Sequence, residues 1–298
     1  MASTQLLRIG ELSKRSGVSP ELLRAWERRY GLLRPERSAG GLRLYTPADL
    51  ERVRVMQQHL AEGVAAAEAA AIAARATPDA GAESPAFLPS AMRDELTAAL
   101  DRFDEPDAQA ILDRILAACT IDTFLSEIVL PYLQELGARW ERGDASVAQE
   151  HFASALLRGR LLGLARGWGR GVGPVGILAC LPGEHHDLGL IALGLALRAR
   201  NWRIAYLGGD TPLGNVSDAS KELQPAFVFL SAISEELIDP VVPELRSLAR
   251  RYRVALGGAA ARSSALKGTR VLALPGDPVG EADRVTALVQ EQERARPD

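Results

Sequence analysis

The second half of the chain alternates short apolar segments with amphipathic helical ones, and this alternation constrains the fold more than any other feature. The apolar segments end in small residues and begin at Val175, Arg203, Ala226 and Arg253. Helical patterns follow at 190–198, 213–223, 241–252 and 280–294. Strands that alternate with helices form parallel sheets, and the helices cover both faces. The sequence therefore predicts a doubly wound α/β domain.

The turn after the first predicted strand contains a cluster of side chains that can bind a ligand or metal ion. It runs from Leu181 to Gly189 and contains Glu184, His185 and His186. Loops at the carboxyl ends of parallel strands are where open α/β sheets bind ligands. Adjacent histidines point in different directions, so we expect only one of them to bind a metal ion. The carboxylate of Glu184 lies two residues before His186 and can accept a hydrogen bond from the ring N–H of that histidine. From spacing alone, a polar surface loop is an equally good interpretation.

Three motifs in this half resemble the cobalamin-binding domain shared by methionine synthase, cobalamin-dependent mutases and a group of transcription regulators. They are Glu184-x-His186-x-x-Gly189, Ser231-x-Ile233 and Gly257-Gly258. The family has Asp in place of Glu184 and Leu in place of Ile233, and both differences are chemically mild. The resemblance implies that His186 binds cobalt from below. It also implies that the benzimidazole tail of the cofactor enters a slot beside Gly189, Ser231 and Gly257.

Length and charge indicate a chain with several functional parts. At 298 residues, 47% of them hydrophobic, the chain suits about two or three domains with ordinary cores. Residues 1–54 contain 11 Lys and Arg against 6 Asp and Glu, so this head carries +5 while the whole chain carries −3. A basic head on an acidic body predicts a nucleic-acid partner for the head.

The cysteines and the hydropathy pattern bear on location. Cys119 and Cys180 lie far apart in apolar segments, which is typical of reduced cysteines in the core of a cytoplasmic protein. The sequence shows no signal peptide or membrane-spanning pattern. We therefore expect a cytoplasmic protein with no membrane partner.

The basic head has the pattern of a helix-turn-helix. A first helix at 7–15 stops near Gly17, and Ser19 caps a second helix that reaches Tyr30. In the second helix we expect a buried stripe formed by Leu22, Ala25 and Trp26. The outward face would carry Arg24, Glu27 and Arg28. Arginines that point outward can bind the edges of guanine bases and the phosphates of DNA. A short charged helix face, however, more often only contacts solvent.

A predicted β-hairpin at 32–45, with its turn at 39–41, favours DNA binding over a solvated face. It carries Arg37, Arg43 and Tyr45, and such a wing places cations over the DNA backbone. Helices are expected next at 46–62 and then up to residue 74. The segment 7–74 resembles a MerR-family winged helix-turn-helix, most specifically in the runs at 23–31 and 40–45. The resemblance implies binding to duplex DNA as a dimer or higher oligomer, with DNA contacts from Arg24, Arg28, Tyr30, Arg37, Arg43 and Tyr45.

One departure from the MerR pattern affects assembly. Typical members continue into a long dimerising coiled coil, whereas this chain has a Pro- and Gly-containing stretch at 77–85. Such a stretch predicts a flexible linker. Oligomerisation must therefore come from another part of the chain.

The middle of the chain predicts a bundle of four helices, at 91–103, 107–119, 121–142 and 146–168. Pro131 falls inside the third helix and should kink it. The corner between the third and fourth helices brings one set of residues to one side: Trp140, Val147, Glu150 and His151. Residues of these types near a helical corner are more often core and cap residues than a site.

The order of these residues favours a site. A Trp, nine intervening residues and then Glu-His resembles the helical cap of the light-responsive cobalamin regulators, the CarH and LitR group. The resemblance implies that Trp140 and Val147 pack around the adenosyl group of adenosylcobalamin. Glu150 would accept hydrogen bonds from the ribose, and His151 would support the site. Light-sensing members often have His directly after the Trp, where this chain has Glu141, so the illuminated form would keep water or recruit another ligand.

The predicted fold class is α + α/β, in four parts. These are a winged helix-turn-helix head at 1–75, a linker at 76–88, a four-helix bundle cap at 89–170 and a Rossmann-like cobalamin-binding domain at 171–298. We expect a non-enzymatic transcriptional repressor and photoreceptor. It would bind operator DNA as an adenosylcobalamin-stabilised dimer or tetramer and release it when light cleaves the cobalt–carbon bond.

Two alternatives stay open at this point. One is a corrinoid carrier subunit of a methyltransferase or mutase, which the attached DNA-binding head disfavours. The other is a MerR regulator that senses another tetrapyrrole or a partner protein.

Overall fold

The computed structural model describes residues 6–37, 42–61, 63–75 and 89–295. The chain divides into two compact units, Met1–Ala153 and Ser154–Asp298. The linker predicted at 76–88 and the hairpin turn predicted at 39–41 lie outside the described residues. Within the described ranges, no helix is both long and apolar enough to cross a bilayer.

The first unit opens with a helix-turn-helix and a short wing, as predicted. Its elements are α1 (Ile9–Ser16), α2 (Pro20–Tyr30), β1 (Glu36–Arg37), β2 (Arg43–Leu44), α3 (Pro47–Ala61) and α4 (Ala66–Arg75). The hydroxyl of Ser19 accepts the amide of Leu22 at 3.1 Å and so caps α2. Gly17 and Gly31, both left-handed, end α1 and α2. The strands β1 and β2 pair antiparallel.

The buried face of α2 is rotated from the predicted stripe. Leu23 and Trp26 are buried, whereas Leu22 and Ala25 are only partly buried. The rotation follows from packing, because α2 contacts α4 as well as α1. Amphipathic spacing within a single helix gives no information about the second neighbour.

The rest of the first unit is helical. It contains α5 (Pro89–Asp101), α6 (Glu105–Ala118), α7 (Ile121–Thr123), a π-helical segment (Phe124–Val129) and α8 (Leu130–Arg142). The next helix, α9 (Val147–Leu164), begins in this unit and ends in the second. Fully buried side chains of the bundle include Leu96, Leu100, Leu112 and Phe124.

The helix predicted to kink at Pro131 contains the π-helical segment just before that residue. The amide of Leu130 donates to the carbonyl of Leu125, five residues back, at the end of this segment. Pro131 then stands in the first turn of α8. Because proline has no amide hydrogen, its nitrogen needs no carbonyl acceptor in the preceding turn.

The head and the bundle pack against each other within the first unit. Gln57 of α3 is buried and donates its side-chain amide to the carbonyl of Ala118, at 2.6 Å. The amide of Thr120 donates to the carbonyl of Gly17 at 2.9 Å. The glycine turn of the helix-turn-helix therefore contacts the corner between α6 and α7, which the sequence did not predict.

The second unit is a parallel sheet covered by helices, as predicted. Its strands are β3 (Val175–Cys180), β4 (Arg203–Gly208), β5 (Phe227–Ser231), β6 (Val254–Gly257) and β7 (Leu272–Leu274). Its later helices are α10 (Leu188–Ala199), α11 (Leu213–Leu223), α12 (Val242–Arg251) and α13 (Pro278–Ala295). The strand order is β4-β3-β5-β6-β7, and every neighbouring pair is parallel.

The strand order positions the candidate site. The first strand, β3, lies between β4 and β5, so the order reverses at its carboxyl end. Ligands of open α/β sheets bind at this switch point. The strand ends there are aligned, because Cys180 pairs with Ser231 and Ser231 pairs with Gly257. The fifth strand, β7, was not predicted because three residues are too few to show a pattern.

Candidate functional site

The loop after β3 holds the ring of His186 by one nitrogen. Its Nδ1 lies 2.6 Å from Oε1 of Glu184, which also accepts the amide of His186 at 2.9 Å. The side chain of Glu184 is 3% exposed, whereas that of His186 is 73% exposed. When Nδ1–H donates to the carboxylate, the lone pair of the neutral ring is on Nε2. The exposed Nε2 therefore presents its lone pair to solvent, where it can bind a metal ion.

The carboxylate of Glu184 joins two loops at the edge of the sheet. Its Oε2 accepts the amide of Ile233, after β5, at 2.7 Å. Burial raises the pKa of Glu184, but the hydrogen bonds from the amides of Ile233 and His186 and from the His186 ring outweigh burial and hold the pKa below its usual value. The carboxylate is therefore ionised at neutral pH. The structure brings Glu184 and His186 together as their spacing predicted.

The small residues predicted to line a slot lie at the ends of β5 and β6 and at the start of α10. Ser231 is buried, and Gly257 ends β6. A Cβ on Gly258 would lie 2.2 Å from the carbonyl oxygen of Ala232, so only glycine fits there. A Cβ on Gly189 would meet no described atom within 4 Å. The protein itself thus leaves space beside Gly189.

Ile233 and His185 have different places from those of the other predicted residues. The side chain of Ile233 is 49% exposed, and it is its amide that contacts Glu184. His185 is exposed, and within the described residues no carboxylate holds its ring. Among the adjacent histidines, the structure therefore favours His186 as the metal ligand.

The donor set fits a cobalamin. Across the described part of the chain, no group of three or more His, Cys, Asp or Glu side chains could hold a metal ion by itself. A single oriented imidazole suits a metal ion whose equatorial ligands come from a macrocycle, as in cobalamin. His186 would hold that group through Nε2, with Glu184 bonded to Nδ1 of the same ring.

The predicted cap residues lie around one corner of the first unit. Trp140, near the end of α8, and Val147, at the start of α9, are 53% and 56% exposed. Left-handed Gly143 ends α8 between them. The Nε2 atom of His151 lies 3.6 Å from Oε2 of Glu150. Burial of this exposed apolar surface by a ligand would favour binding.

Asp101, at the end of α5, joins α8 and α9 at this corner. Its carboxylate accepts Arg139 of α8 at 3.0 Å, and its carbonyl accepts the side-chain amide of Gln149 of α9 at 3.3 Å. Phe103, 47% exposed at a positive φ of 60°, packs edge-on against Phe152 with ring centroids 5.3 Å apart. Sequence reasoning missed these residues, because only their long-range contacts place them beside the predicted set.

The hydroxyl of Tyr132 has an unusual environment near this corner. Its oxygen is buried and has no hydrogen-bond partner among the described residues. Burial raises the pKa of Tyr132, and the neighbouring charge of Asp101 raises it further. A buried hydroxyl without a partner is rare and is often satisfied by an ordered water or a ligand.

The outer face of α2 carries the cations predicted for DNA binding. Arg24 and Arg28 are exposed, and so is Arg29, which the sequence analysis did not include. Arg43 on β2 is half exposed, and its Nε lies 3.2 Å from Glu27. Tyr30 is partly buried against the core of the head. Arg37 belongs to β1, and its side chain is outside the described part of the structure.

The structure corrects two expectations about this face. Tyr45 has no exposed surface and donates its hydroxyl to Glu27 at 3.1 Å, so it supports α2 from within and does not present its ring to DNA. Burial, with the charge of Glu27, raises the pKa of Tyr45 to about 12. Glu27, expected to point outward, is largely covered by this contact and by Arg43.

Known families match the three parts of the chain in order. Residues 7–76 match the family described as MerR HTH family regulatory protein. Residues 92–162 and 174–286 match two families that are each described as B12 binding domain.

Two repressors of Myxococcus xanthus are similar over most of the chain. The HTH-type transcriptional repressor CarH is 37% identical over 268 residues, which are 86% of this chain and 90% of that protein. The HTH-type transcriptional repressor CarA is 34% identical over 265 residues, 86% and 88% of the two chains. The HTH-type transcriptional regulator MlrA of Escherichia coli is 46% identical over 59 residues, 20% of this chain and 24% of that one.

Among solved structures, the monomethylamine corrinoid protein of Methanosarcina barkeri superimposes with a TM-score of 0.56 at 17% identity. The match covers 67% of this chain and 100% of that one. At this identity the similarity concerns the fold alone.

Proposed function

Because the chain belongs to the family of MerR-type transcriptional repressors with B12-binding domains that includes CarH and CarA, we propose that it is a repressor controlled by adenosylcobalamin and light. The chain is a cobalamin-binding transcriptional regulator and not an enzyme. The adenosyl ligand, the response to light and the assembly into a homo-oligomer are the parts of this function that we propose.

The observation that carries the proposal is the orientation of His186 by buried Glu184. We propose that Nε2 of His186 would hold the cobalt of the cofactor while Nδ1 donates to the carboxylate of Glu184. An ionised partner raises the basicity of the ring and prevents it from rotating away from the metal. We propose that the tail of the cofactor lies beside Ser231 and Gly257, the small residues at the aligned strand ends.

The exposed corner of the first unit supports the adenosyl form. Adenosylcobalamin supplies a cobalt–carbon bond that visible light breaks. We propose that Trp140 and Val147 bury their exposed apolar surface against the adenosyl group, which favours binding. Glu150 accepts hydrogen bonds from the ribose hydroxyls, and His151, 3.6 Å away, supports that carboxylate. Loss of the adenosyl group would return both apolar side chains to water.

Control of DNA binding through assembly follows from the number of contacts that one head can make. The exposed arginines of α2 and Arg43 of the wing provide few phosphate contacts per head, so a single head binds weakly. Several heads in one homo-oligomer raise each other's effective local concentration on an operator. A switch from mostly unbound to mostly bound needs a ligand preference for the assembled state of about 5 kcal/mol.

Absorption spectroscopy tests the proposal. Purified protein is mixed in the dark with adenosylcobalamin, methylcobalamin or hydroxocobalamin, freed of unbound corrinoid, and measured before and after illumination. We expect the adenosylcobalamin sample to retain corrinoid in the dark and to change its spectrum permanently in light. A protein that retains no corrinoid, or a complex whose spectrum is unaffected by light, would contradict the proposal.

A further inference from the structure

Asp187 directly follows His186 and is almost fully buried. Its carboxylate accepts the Nε of Arg158 at 3.0 and 2.9 Å, one distance to each oxygen, and the Nη2 of Arg158 at 2.7 Å. The hydroxyl of Tyr206 donates to the same carboxylate. A carboxylate bound by a planar guanidinium fork and by a hydroxyl is held in one orientation. We call these residues, Arg158, Asp187 and Tyr206, the Asp187 cluster.

The cluster ties the loop of His186 to two other elements. Arg158 belongs to α9 and Tyr206 to β4. The ring of Tyr206 packs edge-on against Trp168, with centroids 5.8 Å apart. Trp168 in turn fills the space beside Gly194 of α10, where a Cβ would lie 2.8 Å from its ring. The loop is therefore anchored to a packed part of the second unit and not only to its own neighbours.

The direction of the Asp187 side chain is informative. Asp187 is the residue that precedes α10, a position where an Asp side chain normally accepts an amide of the first helical turn. Here its side chain makes no such cap and turns to Arg158 and Tyr206 instead. Asp187 therefore forms hydrogen bonds to α9 and β4 and does not cap α10, the usual role of an Asp at this position.

We infer that the Asp187 cluster positions His186 for cobalt, an inference that rests on the proposed function. Glu184, two residues before His186, fixes the ring of His186. Asp187, the next residue after His186, fixes the backbone that follows it. Arg158 also balances the charge of the buried carboxylate of Asp187. Removing Arg158 leaves the imidazole present but its direction less restrained.

The chain offers a matched control for a purely structural role. Arg200, at the end of α10, donates its Nε and Nη2 to the two oxygens of Asp283 at 2.6 and 2.9 Å, in the same unit. Arg158→Met and Arg200→Met each remove one such pair. Tyr206→Phe is a milder variant, because it removes one hydroxyl and keeps the ring against Trp168.

Paramagnetic resonance of bound cob(II)inamide tests the inference. This corrinoid carries no benzimidazole, so nitrogen splitting of its cobalt signal reports a protein imidazole. We expect splitting in the wild-type protein and its loss in His186→Ala. In Arg158→Met, affinity should fall about 10- to 100-fold, as for other groups that orient a metal ligand, and part of the bound cobalt should lack the splitting. Tyr206→Phe should show the same change to a smaller extent.

The control separates positioning from stability. Arg200→Met should keep wild-type affinity and splitting, and because its partner Asp283 is exposed, it should lower the urea midpoint less than Arg158→Met. Full splitting and unchanged affinity in both Arg158→Met and Tyr206→Phe would overturn the inference while leaving the proposed function intact. If Arg158→Met does not fold, Tyr206→Phe alone decides. Absence of His186-dependent splitting in the wild-type protein would defeat the proposed function, and this inference with it.

Discussion

The side-chain amide of Gln57 donates to the carbonyl of Ala118 at 2.6 Å, which joins the DNA-binding head to the end of α6 in the bundle. The amide is buried, and the backbone bond from Thr120 to Gly17 lies beside the turn of the helix-turn-helix. A head connected only by a linker would not need a buried glutamine. The bundle that carries the proposed adenosyl site therefore contacts the DNA-binding motif directly.

Replacement of Gln57 should destabilise the first unit. In Gln57→Leu the carbonyl of Ala118 stays buried without its donor, which costs about 1 to 3 kcal/mol. Urea unfolding of the full-length chain measures this cost. Gln134→Leu on the exposed face of α8 makes the same change without a buried partner, and we expect less than about 0.5 kcal/mol there. Equal effects of the two variants would show that the contact contributes nothing.

Stability of the head should depend on pH through Asp49. Its side chain accepts the amides of Arg34 and Thr46 at 3.0 and 2.9 Å and the guanidinium of Arg52 at 2.5 Å. Burial raises the pKa of Asp49, but these hydrogen bonds outweigh burial and hold the pKa below its usual value. The carboxylate therefore contributes stability above about pH 4, and this contribution is lost as the pH falls further.

Comparison of Asp49→Asn with wild type at pH 7 and at about pH 3 measures this contribution. We expect Asp49→Asn to be less stable at pH 7, by about 1 to 3 kcal/mol, and the difference to shrink in acid. Asp94→Asn, at an exposed position on α5, is the control and should follow the wild type at both pH values. A gap that is constant with pH would rule out the ionised carboxylate as its cause.

Corrinoid binding should distinguish the adjacent histidines. We expect His186→Ala to lose cobalamin affinity by at least tenfold while the sheet stays folded, because its ring is exposed and contributes little to the core. His185→Ala should bind like the wild type. Equilibrium titration with adenosylcobalamin in the dark, with circular dichroism to check folding, provides both measurements. Equal affinity of the two variants would remove His186 as the ligand.

Two arginines of the head should affect DNA binding differently. Arg28, exposed on α2, should contribute roughly 1 to 3 kcal/mol of discrimination between operator and unrelated DNA if it contacts base edges. Arg43 on the wing should strengthen binding to all sequences alike. Fluorescence anisotropy with Arg28→Ala and Arg43→Ala measures both effects, with exposed Arg250→Ala of α12 as the control. The assignment fails if Arg28→Ala weakens operator and unrelated DNA equally.

Sequence periodicity predicted most of the fold, because strands and helices of the second unit each carry a long apolar pattern. Only three residues form β7, so that strand was missed. The head pattern predicted the elements but not the burial of Tyr45, since alternation along a short wing does not show which face the core covers. Glu184 and His186 were predictable because their contact is local.

The contacts that the sequence did not predict join residues that are distant in the sequence. Gln57 and Ala118 are 61 positions apart, and Arg158 and Asp187 are 29 apart. A polar residue in a helix looks the same in the sequence whether it faces water or a buried carbonyl. Phe103 is similar, because its positive φ arises where α5 turns into α6 and no residue type marks that turn. Such contacts become visible only when the elements are packed.

The mass of the protein in solution tests the central claim most directly. Size-exclusion chromatography with light scattering is applied to apoprotein, to the adenosylcobalamin complex in the dark, and to the same complex after illumination. The account predicts a larger mass in the dark complex than in either other sample, and a smaller difference in Trp140→Ala, which removes the apolar ring proposed to cover the adenosyl group. One mass shared by all three wild-type samples would contradict it.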